Sequence, residues 1–140
     1  MSAEPGEMAA MAIPAHGTFV WTEIATNDAD RCIDFYKKVF GWTFQDSEAA
    51  SDGMNYREFC TGGDMPAGGL YQVDPAWFGG SAPPPHFMTY IAVDDVDESA
   101  AQATELGAKV HKTMDIPNVG RMSIIEDPSG AMFATFKANS

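Results

Sequence analysis

The sequence predicts an α+β chain built from two tandem βαβββ modules, and three observations lead there. First, the chain repeats itself: TEIATNDADRC (Thr22–Cys32) set over TYIAVDDVDES (Thr89–Ser99) brings Thr, Ile, Ala and two Asp into register, and Gly63 and Met65 then fall on Gly130 and Met132. Second, each half opens with a run of β-branched and aromatic residues followed by helix-start chemistry. Third, a Gly/Pro-rich stretch, DPAWFGGSAPPP (Asp74–Pro85), separates the halves. The organisation read from this is a mobile N-terminal tail over residues 1–16 and a single domain over 17–140. Within the domain, module one spans 17–73, the linker 74–85 and module two 86–138.

The elements follow in order. FVWTEIAT (Phe19–Thr26) and FMTYIAV (Phe87–Val93) read as the opening strands. Asn27 or Asp28 caps the first helix, which lines up Ala29, Cys32, Ile33, Tyr36, Val39 and Phe40 at steps of three and four and closes near Gly41. Asp95 and Glu98 form a D-x-x-E capping box for the second helix, whose weaker stripe is Val96, Ala100, Ala103 and Leu106, with Gly107 beyond it. Three strands follow each helix: Trp42–Asp46, Asn55–Cys60 and Ala67–Val73, then Lys109–Thr113, Arg121–Glu126 and Ala131–Lys137. Asp127-Pro128-Ser129-Gly130 joins the last two as a tight turn.

Composition narrows the function. Twenty acidic against eight basic residues give a net charge of -12, which repels phosphate backbones and anionic membranes, so no nucleic-acid or membrane partner is expected. No apolar run reaches the ~18 residues that span a bilayer. The opening MSAEPGEMAAMAIPAHG has acidic residues where a signal peptide needs basic ones. Cys32 and Cys60 are far apart without CxxC spacing, so the reading is a cytoplasmic protein with reduced cysteines.

DADRCIDFYKKVFGW (Asp28–Trp42) and GRMSIIEDPSGAMFATF (Gly120–Phe136) carry a resemblance to the vicinal oxygen chelate superfamily, which includes glyoxalase I, extradiol dioxygenases and bleomycin-resistance proteins. The resemblance covers roughly residues 17–138 and implies a glyoxalase-like fold, a half-open mixed β-barrel with helices outside and a ligand cavity inside. It also implies a homodimer. Metal-using members take His and Glu ligands from the first and last strand of each module. The matching positions here are Trp21, Met88, Ala134 and one residue within Ala67–Gly69, none of which ligates a divalent cation. No cofactor is therefore expected and no metal residue is assigned. A rearranged His16/Glu23/His86 cluster is the one route left open to a divalent metal.

Strand alternation divides the faces. Val20, Thr22 and Ile24 should face the helix, leaving Phe19, Trp21 and Glu23 toward the cavity; Phe87, Thr89 and Ile91 face the helix in module two, leaving Met88 and Tyr90. The expected ligand-binding set is Trp21, Glu23, Met88, Tyr90, Met132 and Phe136, with Arg121 able to orient an anionic group. Glu23, desolvated beside Trp21 and Met88, is the candidate general acid or base, and Tyr90 occupies its repeat-equivalent position. Three functions are weighed: a metal-free binder of a small apolar or amphipathic molecule, a metal-dependent lyase, isomerase or dioxygenase, and a metal-free acid–base enzyme using Glu23 and Tyr90.

Overall fold

A computed structural model describes residues 14–47, 56–80 and 82–139. Most of the expected tail, and Asn55 at the head of an expected strand, lie outside the described residues. The elements are β1 (Phe19–Thr26), α1 (Ala29–Phe40), β2 (Thr43–Asp46), β3 (Tyr56–Cys60), β4 (Gly68–Gln72), β5 (His86–Ala92), α2 (Val96–Glu105), β6 (Lys109–Ile116), β7 (Gly120–Glu126) and β8 (Met132–Ala138). Two βαβββ units are thus present. They form two compact bodies, Trp21–Thr89 and Tyr90–Ser140, the latter with residues that precede Trp21.

Each module has the same strand plan. In the first, β1 runs parallel to β4, β4 antiparallel to β3, and β3 antiparallel to β2. In the second, β5 runs parallel to β8, β8 antiparallel to β7, and β7 antiparallel to β6. The register is not identical, however. Glu23 sits opposite Gly69, whereas its repeat-equivalent Tyr90 sits opposite Ala134. An offset of 67 residues between β1 and β5 therefore becomes 65 between β4 and β8, and the structural counterpart of Ala134 is Gly69.

The caps form as their chemistry requires. Asp28 Oδ1 accepts from the Arg31 N–H at 3.3 Å and Asp95 Oδ1 from the Glu98 N–H at 3.0 Å, each satisfying an otherwise unpaired first-turn donor. Gly41, at φ 72°, closes α1 and donates its N–H to the Lys37 carbonyl. Asp127 ties the last hairpin, accepting from the Ser129 hydroxyl at 2.7 Å and from the N–H groups of Ala131 and Ser129, and these bonds, the hydroxyl's first, hold its carboxyl below the ordinary value.

The first core lies between α1 and its sheet. Ile24, Ala29, Phe59 and Leu70 are buried there, and Cys32, Ile33, Tyr36, Trp42, Phe44 and Ala67 pack around them. Trp42 lies flat on Phe59, with ring centroids 4.7 Å apart. Val39 and Phe40, predicted to belong to the apolar stripe of α1, are 55% and 58% exposed, although the Phe40 ring still touches those of Tyr36 and Trp42 at the edge of this cluster. Leu106 likewise departs from its predicted role and is exposed. Two further corrections concern boundaries. β6 extends to Ile116 because Ile116 pairs with Gly120 across the following turn, and the linker includes a short 3-10 helix, Pro75–Phe78, capped by Asp74.

Candidate functional site

On β1, Ile24 enters the helix-side core, so by alternation Trp21 and Glu23 stand on the opposite, helix-free face. Cross-strand register carries that face onward. Glu23 is opposite Gly69, Gly69 opposite Glu58, and Tyr56 opposite Tyr71. The Trp21 indole N–H donates to the Tyr56 hydroxyl at 3.0 Å, and that hydroxyl donates to Glu23 Oε2 at 3.0 Å. The Tyr56 and Tyr71 rings stack, 6.1 Å apart and 12° from parallel. All four residues are half-buried.

Gly69 makes this arrangement possible. A Cβ there would overlap the hydroxyl and ring of Tyr56, so the missing side chain is the space through which Tyr56 reaches Glu23. The electrostatics follow from the geometry. Burial first, and then the Glu23 charge, hold Tyr56 far above the ordinary phenol value and push Tyr71 up to about 12. Because the fold retains these protons and the unfolded chain releases them near pH 10, stability is unaffected below about pH 10 and falls as pH rises from there toward 12. A phenolate titration followed by absorbance is expected to show Tyr71 ionising near 12 and Tyr56 later still. Glu23→Gln should lower both. Unchanged titration in that variant would show that Glu23 does not govern the pair.

The second module presents a different helix-free face. Arg121 donates to both Asp97 oxygens on α2 and to Asp115 on β6, at 2.9–3.0 Å, which places Arg121 on the helix side. The neighbouring Met122 must then face away from α2, and with it Tyr90, whose hydroxyl lies 3.9 Å from Met122 Sδ, and Phe136, in edge contact with Tyr90. By the same alternation Met132 and Ala134 share this face, as Met88 does on β5. Arg121 is thus held away from the residues it was expected to assist, and Asp97 is kept below the ordinary carboxylate value by that hydrogen bond.

The remaining candidates are also placed. His16 Nδ1 accepts from the Asp94 N–H, and His86 Nδ1 lies 2.8 Å from the Pro84 carbonyl. The His16/Glu23/His86 metal cluster is not formed, and among the described residues no three His, Cys, Asp or Glu side chains group so as to hold a metal ion. At the positions the resemblance assigns to ligands, Trp21 presents an N–H donor and Ala134 a fully buried methyl, which do not fit a divalent cation. Neither cysteine forms a disulfide. Sequence reasoning did not single out Tyr56, Glu58, Tyr71 or Met122 and held Gly69 only within the range Ala67–Gly69, because alternation divides the faces of one strand while the cross-strand register decides which strands' residues meet.

With the geometry in place, comparison with known proteins is decisive on family. The profile of the Glyoxalase/Bleomycin resistance protein/Dioxygenase superfamily matches residues 18–135. The chain belongs to this superfamily. CFP32 of Mycobacterium tuberculosis, provisionally named a glyoxylase, is 39% identical over 122 residues, which is 86% of this chain and 44% of CFP32. The anthracycline biosynthesis protein DnrV of Streptomyces peucetius is 30% identical over 134 residues, covering 88% of this chain and 48% of DnrV. The chain therefore spans about half the length of the curated relatives it matches. Methylmalonyl-CoA epimerase from Mycobacterium tuberculosis has the same fold, with a TM-score of 0.62 at 17% identity over 89% of each chain. The glyoxalase-like α+β fold is thereby shown. No helix among the described residues is long and apolar enough to cross a membrane.

Proposed function

We propose that this superfamily member is a small-molecule binder that works without the metal of its metal-using relatives. It takes an apolar or amphipathic ligand on a sheet face that the helices leave bare. The observation that carries this reading is the Trp21–Tyr56–Glu23 hydrogen-bond chain, with Tyr71 stacked on Tyr56. Bonds between their polar ends fix the rings before any ligand arrives, so a flat ligand meets an ordered aromatic platform with little ordering left to do. The Tyr90–Ser140 body, by itself, offers the adaptable apolar set Tyr90, Met122, Met132 and Phe136. Relatives named for a glyoxylase and for anthracycline biosynthesis support a small-molecule role. A cytoplasmic setting with both cysteines reduced is part of the reading, as is pairing with a second copy, which would cover the exposed Phe35, Val39 and Phe40 of α1.

The 3.0 Å Tyr56–Glu23 bond also favours a second reading, in which Glu23 is an oriented acid–base group. One variant separates the two. Gln at position 23 can still accept from Tyr56 but cannot exchange a proton, so binding measured by calorimetry should stay within about threefold for a neutral aromatic ligand. Loss of a measurable turnover in Glu23→Gln, with affinity retained, would replace the binder by the enzyme.

A further inference from the structure

Resting on that binding reading, we propose that the helix-free face of the Tyr90–Ser140 unit takes an aliphatic carboxylate. The acid head would sit between Lys109 and Lys112, and the alkyl chain would lie along Met114, Ile124 and Met132.

Register sets this face. Glu126 pairs across the sheet with Met132 and Ile124 with Ala134, so both stand on the side away from α2. On the outer strand, Lys109 pairs with Glu126, Lys112 with Ile124 and Met114 with Met122, which brings all three to the same side. Lys109 and Lys112 are three residues apart and would face opposite ways along a regular strand. A β-bulge between Val110 and Lys112 supplies one extra residue, His111, and so returns Lys112 to the face of Lys109. The bulge thus gathers two cations at one corner. Bulges and lysines also guard an exposed strand edge, but guarding requires no shared face.

His111 completes the corner. Its Nε2–H donates to Glu126 Oε1 at 2.9 Å, which directs the ring and engages that carboxylate. Among the described residues neither Lys109 nor Lys112 forms an ion pair or a side-chain hydrogen bond. Lys38, Arg57 and Arg121, in contrast, are paired with aspartates, and Lys137 donates to the Asp94 carbonyl. On this face of β6 and β7, two lysines stand against the single carboxylate of Glu126, which leaves a positive corner on a chain of net charge -12. About 10 Å of strand separates the lysines, a gap that two flexible four-carbon stems can close on one acid head. The neighbouring surface is aliphatic. Met114 and Ile124 are half-buried and Met132 is 42% exposed, and such side chains follow an alkyl chain more readily than they support a flat ring.

The test uses octanoate, octanol and octylammonium, titrated calorimetrically into the full chain at about 0.1 M salt, where the field of the whole chain is largely screened. Each exposed ion pair is weak alone, so octanoate should bind about fivefold tighter than octanol, with octylammonium weakest. Lys109→Gln combined with Lys112→Gln should erase that preference, whereas Lys37→Gln on α1 should leave it intact. If octanoate binds no tighter than octanol, or its preference survives the double variant, the proposal is overturned. Naphthylmethanol, titrated alongside, reports on the aromatic platform of the Trp21–Thr89 unit. If it binds while no octyl probe does, the proposal fails and the binding reading stands; if none of the four binds, both fail.

Discussion

Gly68→Ala is expected to cost about 3 kcal/mol or more of stability, beyond the usual range for an overpacked core position. The new Cβ would overlap the backbone carbonyl of Thr22, its parallel-strand partner, as well as the Phe59 ring. A flexible side chain could yield, but the Thr22 carbonyl cannot move without parting β1 from β4. Phe59 in turn is stacked on Trp42 and buried beside Leu70, which is fully inaccessible, so relief in that direction disturbs the core itself. For a chain of this size the melting temperature should drop by roughly 10 °C. Gly63→Ala is the control, since nothing lies within 4 Å of its added Cβ. Equal melting of the two variants would show that β1 and β4 do not approach as described.

Trp21→Ala should have the largest effect on binding. It removes the largest ring of the platform and the N–H that holds the Tyr56 hydroxyl in place. A buried Trp in a recognition site commonly contributes about 2 kcal/mol, so affinity for an aromatic probe should fall about 30-fold. Trp21→Phe keeps a ring but loses the bond to Tyr56, and it should fall between Ala and the parent. Circular dichroism must show the fold intact in both. Affinity unchanged in a folded Trp21→Ala protein would place the ligand elsewhere.

The fold was legible because strands, caps and turns are written in local chemistry. Asp28, Asp95 and Asp127 announce their roles through residue type and spacing, and the repeat ties the two halves together. The helix stripes were overread at Val39, Phe40 and Leu106, because periodicity shows which side faces inward but not where the partner surface stops. The site was half legible. Alternation on β1 singled out Trp21 and Glu23, but Tyr56 and Tyr71 reach them through pairing with strands more than thirty residues away, which no local pattern encodes. The two-residue difference in register between β4 and β8 was likewise invisible, since repeat alignment follows sequence and register follows side-chain packing. Arg121 was misjudged for the opposite reason. Its partners Asp97 and Asp115 lie on other elements, and strand alternation, not visible in the sequence GRMSIIE, puts it on the helix side beside them.

The central claim, a small-molecule site that operates without metal, is tested most directly by native and then denaturing mass spectrometry of the purified chain with elemental analysis alongside. The account predicts no stoichiometric metal, and an organic mass of about one equivalent that is held under native conditions and released on denaturation, either retained from the source or supplied as a neutral aromatic probe such as naphthylmethanol. One equivalent of zinc, nickel, manganese or iron per chain would contradict it.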